Sequence, residues 1–322
     1  MTTITMTTVT TNKAPDIHVY APSYEHAMQA LVCRAHIVSL NGPALGLRGE
    51  RNSVSWEQIA SLVTLANQQG SRIYLRLNTI LHNRDIESLD DILHQAETTG
   101  VHAIIFSDAA LVYQKQSGKC SIPLMMATET TVTNSEMLRF WYGHGVDGFL
   151  LSRELSLEEI ARLVADKPNL PGRDACNIEI QIHGPVAIFH TLRPVLSNYH
   201  AFLQDDQSAD LCAETAFREE KRPEELYRVN EDSRGTYIYA AYDISLYPYS
   251  KQLLEMGVDS LRIDIHPSQS VDTLKQVVQF YQEAVHKAMS DTWNIGEDWR
   301  QELEKINGFP IKNQFIKLGA PL

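Results

Sequence analysis

Between residues 123 and 199 the chain repeats one pattern, and that pattern leaves few folds open to it. Short apolar runs at Pro123–Thr128, Gly148–Ser152 and Ile178–Gly184 alternate with stretches of helical periodicity. Runs so short and so apolar suit strands covered on both faces, and strands separated by amphipathic helices build a parallel sheet. Polar residues stand where each run stops: Glu129 after the first, Arg153 and Glu154 after the second, and His183 at the end of the third. Parallel strands would gather these positions at one end, where α/β barrels keep their active sites.

The same rhythm extends in both directions. Upstream, Ile17–Ala21, Ile37–Leu40, Arg72–Asn78 and Ala103–Ser107 read as strands, the third ending in Asn78-Thr79. Ser55 predicts a cap for a helix over 56–69 that Gly70 terminates, and Ser156-Leu157-Glu158-Glu159 approximates a capping box. Asp108 ends a strand, and capping the next helix is the reading preferred to lining a site. The loop NGPALGLRGERNSVS carries Arg48 and Arg51 and could cradle an anion, but it matches no nucleotide fingerprint and reads first as a connection. Beyond His183 the rhythm breaks over 185–235, in a polar stretch too long for an ordinary loop and read as an inserted lid or partner-binding segment. It resumes with Thr236–Ile244 and Leu261–Ile265, each followed by a helix.

The expected architecture is therefore an α/β chain folded as a TIM-like (β/α)8 barrel over 17–290. An insert sits at about 200–235, a flexible Thr-rich tail at 1–16, and an extension at 291–322 whose Trp293 and Trp299 pack across the barrel. Length permits this, since 322 residues suffice for one large core. The net charge of -12 argues against unassisted binding to nucleic acid or anionic membrane, without excluding RNA in a locally basic groove. Cys33, Cys120, Cys176 and Cys212 show no CxxC spacing, so free thiols in a reducing cytoplasm are expected. No run approaches a membrane span, and the start lacks the features of a signal peptide.

The segments ATETTVTNSEMLRFWYGHGVDGFLLSRELSLEEI, IEIQIHGPVAIFHTLRPVLSNY and GVDSLRIDIH, with RLNT and SDAAL in the earlier strands, resemble the peptidase U32 family, the collagenase-like proteins. The resemblance covers roughly 17–290 and implies a (β/α) barrel. It also implies kinship with oxygen-independent hydroxylases of ubiquinone precursors and of transfer and ribosomal RNA. Those hydroxylases hold an iron-sulfur cluster on four cysteines, the first two following the His-Gly that here is His183-Gly184. The two positions fall at Ala187 and Pro194, only Cys212 lies near a third, and one thiolate cannot hold a cluster. No cluster is expected. The family's Lys-x-Glu-Gly-Arg strand reads Arg262-Ile263-Asp264-Ile265-His266, and its fifth-strand Gln is Glu129.

Three functions compete. The first is a U32-like barrel enzyme acting on a small aromatic or carboxylate-bearing substrate, with hydroxylation-type chemistry and no cluster. Glu129, His183 and Asp264 would be its catalytic groups, and Arg153, Arg262, Asn78, Asn198 and Asp243 would bind substrate. His183, His266, Asp264 and Glu129 could supply a mononuclear metal site, two imidazoles and a carboxylate being a usual open set; the plainer reading is that both histidines only hydrogen-bond inside the barrel. The second is a catalytically silent paralogue, a homo-oligomer or the heterodimeric partner of a cluster-bearing U32 protein. The third, a peptidase, lacks a nucleophile with a base in reach.

Overall fold

The computed structural model describes residues 13–46, 53–128, 130–168, 176–204, 215–290, 292–313 and 316. Glu129, Arg48, Arg51 and Cys212 lie outside them. Eight strands form the barrel: β1 (Asp16–Tyr20), β2 (Ile37–Asn41), β3 (Arg72–Leu77), β4 (Ala103–Phe106), β5 (Leu124–Met126), β6 (Gly148–Leu150), β7 (Asn177–Thr191) and β11 (Ser260–Asp264). All neighbours are parallel, and β11 pairs with both β7 and β1, which closes the ring. The helices between them are α1 (Tyr24–Val32), α2 (Trp56–Gln69), α3 (Asn83–Thr99), α4 (Ala110–Gln116), α5 (Ser135–Gly143), α6 (Leu157–Ala165), α8 (Ser250–Met256) and α9 (Val271–Met289). The fold is a TIM-like (β/α)8 barrel.

Local chemistry sets these elements. Ser55 and Gln58 form a full capping box on α2, as do Ser156 and Glu159 on α6, and Asn134 caps α5 by accepting from the Met137 N–H at 2.9 Å. Asp108 stands one residue before the Ala109 N-cap of α4, accepting from the Ala110 N–H at 2.9 Å while its other oxygen takes the Leu81 N–H at 3.1 Å. Strand alternation then divides the apolar residues. Val19, Val38, Leu75, Ile104, Phe106, Phe149, Ile178 and Ile263 face the helices and join Leu274, Val277 and Tyr281 of α9 in the main core. Each such large side chain, once buried, contributes about 1.5–3 kcal/mol. The inward set is smaller: Ile37, Tyr74, Ala103, Ile105, Met125, Ala127 and Leu150 pack inside the ring.

The run Thr236–Ile244 is a strand, but not a barrel stave. It lies in β10 (Gly235–Ser245), which pairs antiparallel with the outer half of β7 and with β9 (Arg222–Asp232), and β9 pairs with β8 (Thr215–Glu219). The polar stretch thus supplies an outer antiparallel sheet together with α7 (Val195–Leu203). β7 is long enough, at 15 residues, to serve both sheets. The C-terminal segment adds α10 (Trp299–Asn307) and β12 (Ile311–Lys312), which pairs with β10; Tyr247 packs between Phe280, Trp293 and Trp299, so both tryptophans do lie against the barrel's helical layer. No helix among the described residues is long and apolar enough to cross a membrane.

Candidate functional site

The carboxyl ends of β1, β3 and β11 and the turn in β7 surround a small mouth lined by Tyr20, Arg76, Pro185, Tyr239, Asp264, Ile265 and Pro267. Its free space is about 20 Å³, enough for one water. Arg262 fills the wall beneath. Its guanidinium donates to both oxygens of Asp264, at 2.6 and 3.0 Å, and lies 3.8 Å from Glu179. Burial pushes the Asp264 carboxyl up, but Arg262 and Arg76 outweigh it and hold the group below the ordinary carboxylate range. Arg262 therefore pairs with carboxylates of this chain.

Deeper in the ring, His18 Nδ1 lies 2.5 Å from Glu179, and both side chains are buried. Tyr74 meets the His18 ring edge-on at 5.6 Å, and burial raises its phenol to about 12. Arg76 stacks over Tyr20 at 4.1 Å, and Asn41 donates to the Tyr20 hydroxyl at 3.0 Å. Neither His18 nor Glu179 stands at a strand end, whereas Arg76 is next to last in β3 and Tyr20 last in β1. The signal that finds them is alternation: in DIHVY, RIYLRL and NIEIQI, every second residue is polar or aromatic within a buried strand.

His183 is elsewhere. Between the pairs Arg262–Gln181 and Ile263–His183 the ladder shifts by one residue, a bulge that turns the His183 ring away from the axis. It packs between α9 and α10, with Nε2 at 3.1 Å from Asn307 Oδ1 and Nδ1 at 3.3 Å from the Tyr281 hydroxyl. Asn307 donates its amide to Asp243 at 3.0 Å, so its oxygen faces His183, which fixes that ring as the Nε2–H tautomer. Asp243 is fully buried and paired with Arg228. His266 is buried beside Tyr239 and Phe309, its Nδ1 2.8 Å from the Ser268 hydroxyl. Arg153 donates to the Ala187 carbonyl at 3.1 Å, Asn78 is buried at the end of β3, and Asn198 is exposed on α7.

The expected single cavity is thus divided. Asp264 and Arg262 meet at the mouth, whereas His183 and Asp243 meet behind the wall, and His266 sits beside the outer sheet. Among the described residues no three of His, Cys, Asp or Glu gather as a metal site. Nor do the residues fit a four-thiolate cluster: Ala187 and Pro194 stand after His183-Gly184, where Ala187 serves Arg153 and Pro194 opens α7.

Burial lowers the pKa of His183, and of His26 and His102 as well. The unfolded imidazoles take protons near pH 6.5 while the folded ones resist, so stability is lost as pH falls below about 6.5. Asp264 adds a second loss at lower pH, as it protonates. His183→Gln is expected to flatten the fall between pH 7 and 5, read from urea midpoints; an unchanged slope would remove His183 from this account.

Fold and mouth together define a closed α/β barrel protein with an ion-paired interior and an antiparallel sheet beside its mouth. The chain belongs to peptidase family U32, whose family model matches residues 22–320. It is similar to tRNA hydroxylation protein P2 of Bacillus subtilis, with 27% identity over 277 residues, covering 84% of this chain and 86% of that one. It is also similar to tRNA hydroxylation protein P1 of the same species, at 25% identity over 96% of this chain and 72% of that one. Collagenase of Porphyromonas gingivalis is 24% identical over 90% of this chain and 71% of its own.

Proposed function

We propose that this chain takes part in RNA hydroxylation as the redox-inactive member of a pair, docked on a cluster-bearing U32 relative. The observation that carries this reading is a number of exposed apolar side chains on the outer sheet and α7. Ile188, Phe189, Leu192, Val195, Tyr199, Phe202, Leu203, Phe217 and Leu226 are all exposed there, Phe202 at 83%. Exposed apolar side chains in such number on one sheet and its helix are the mark of an interaction surface. The residues at the cluster positions agree with such a role, as does likeness to two tRNA hydroxylation proteins of one organism.

Light scattering of the chain alone and mixed with a U32 relative from its own genome tests the pairing. A 1:1 complex is expected, and Tyr199→Glu with Phe202→Glu should weaken it by about 2 kcal/mol or more, roughly 30-fold. Absence of a complex, or RNA hydroxylation by this chain without a partner, would overturn the reading.

One observation favours a second reading, an enzyme working at its own mouth. The Asp264 carboxylate lines a mouth walled by Tyr20 and Tyr239, an aromatic frame for the edge of a substrate. On that reading Asp264→Asn abolishes RNA hydroxylation in cells while the complex persists; on the pairing reading hydroxylation survives.

A further inference from the structure

The barrel interior contains one acid–base pair that neither reading uses. His18 on β1 and Glu179 on β7 are not neighbours in the ladder; they reach each other across Arg262 of β11, which is in register with His18. The imidazole is 0% exposed and Glu179 2%. At 2.5 Å the His18 Nδ1–Glu179 contact is short and charge-assisted. The other ring nitrogen, Nε2, is buried and has no hydrogen-bond partner, and on adjacent β2 the same is true of the Ser39 hydroxyl and the Asn41 side-chain oxygen. Buried polar atoms left open are costly and rare in a folded core. All three lie on the neighbouring strands β1 and β2, below a mouth lined by Tyr20.

Charge selects the kind of molecule. Around the pair stand Arg262 and Asp264 from β11, Arg76 and Tyr74 from β3, and Tyr20 from β1. Two guanidiniums against two carboxylates leave these charged side chains balanced, so neither a free anion nor a free cation is favoured. A water or a neutral hydroxyl fits.

We propose that His18 and Glu179 form a proton-transfer dyad beneath the mouth, with His18 Nε2 taking a proton from, and returning it to, a water or hydroxyl held beside Ser39 and Asn41. In the forward step the O–H bond breaks and an Nε2–H bond forms. The Nδ1 proton passes to the Glu179 carboxylate as it does so. The ring stays neutral, and the negative charge moves from Glu179 to the donor oxygen. Asn41, which donates to the Tyr20 hydroxyl, links this place to the mouth.

The test needs no partner and no RNA, so it stands or falls apart from the pairing. Exchange of imidazole C2 hydrogens with deuterium, followed residue by residue by mass spectrometry, compares His18 with His183. Both rings are 0% exposed, but His183 has partners on both nitrogens. His18 is expected to exchange several-fold faster than His183, with its proton on Nδ1 in nitrogen NMR. Glu179→Gln should bring its exchange down towards that of His183. A His18 that exchanges no faster than His183 in the unaltered protein, or that carries its proton on Nε2, overturns the proposal. Because the comparison is made within the unaltered chain, it decides the matter even if the variant fails to fold.

Discussion

Asp243→Asn is expected to lower the unfolding free energy by about 3–5 kcal/mol, the usual loss when one partner of a buried ion pair is neutralised. Asp243 is 0% exposed, and the Arg228 guanidinium paired with it is itself buried against the Phe309 ring at 3.9 Å. Asparagine keeps the shape and removes the charge, so the guanidinium stays in a site from which water is excluded. The loss extends further, because Asp243 also receives the Asn307 amide, and Asn307 holds both His183 and Gln269. Equilibrium urea unfolding measures it. A loss below about 1 kcal/mol, the level of an exposed pair, would mean that water reaches this junction.

Gly184→Ala should cost about 2–4 kcal/mol, from strain and overpacking together. Gly184 has φ +119°, and a Cβ there would stand 2.2 Å from the Asp264 carbonyl oxygen. That neighbour is backbone and cannot rotate away, so β7 or β11 must shift. Gly70→Ala is the control. It also has positive φ, +75°, but its Cβ would meet nothing within 4 Å, so it should cost only about 1 kcal/mol. If the two variants unfold at the same urea concentration, the close approach of Gly184 to β11 contributes nothing.

The barrel was legible because its helix-facing residues are so uniformly apolar. Val19, Leu75, Phe149 and Ile263 repeat at every second position, and Ser55, Asn134 and Ser156 announce the helices between. The interior was less legible. A strand covered on both faces gives little contrast between them, so His18, Arg76 and Glu179 were passed over in favour of the last residue of each run. His183 shows a second limit: without the bulge it would share the inward face of Glu179 and Gln181, and a single residue of slippage reverses the face. Strand character also says nothing of partners. Thr236–Ile244 has the composition of a barrel strand, yet it pairs antiparallel outside the ring.

That pairing has a mechanical consequence. β7 is one unbroken backbone shared by the ring and the outer sheet, and it turns at Gly184, packed against β11. The outer sheet is therefore no appendage on a hinge. To swing, it would have to bend β7 at Gly184, where the backbone is packed against β11, or drag Glu179 along its own strand. A push on α7 and a displacement of the barrel wall are, in this molecule, the two ends of one lever.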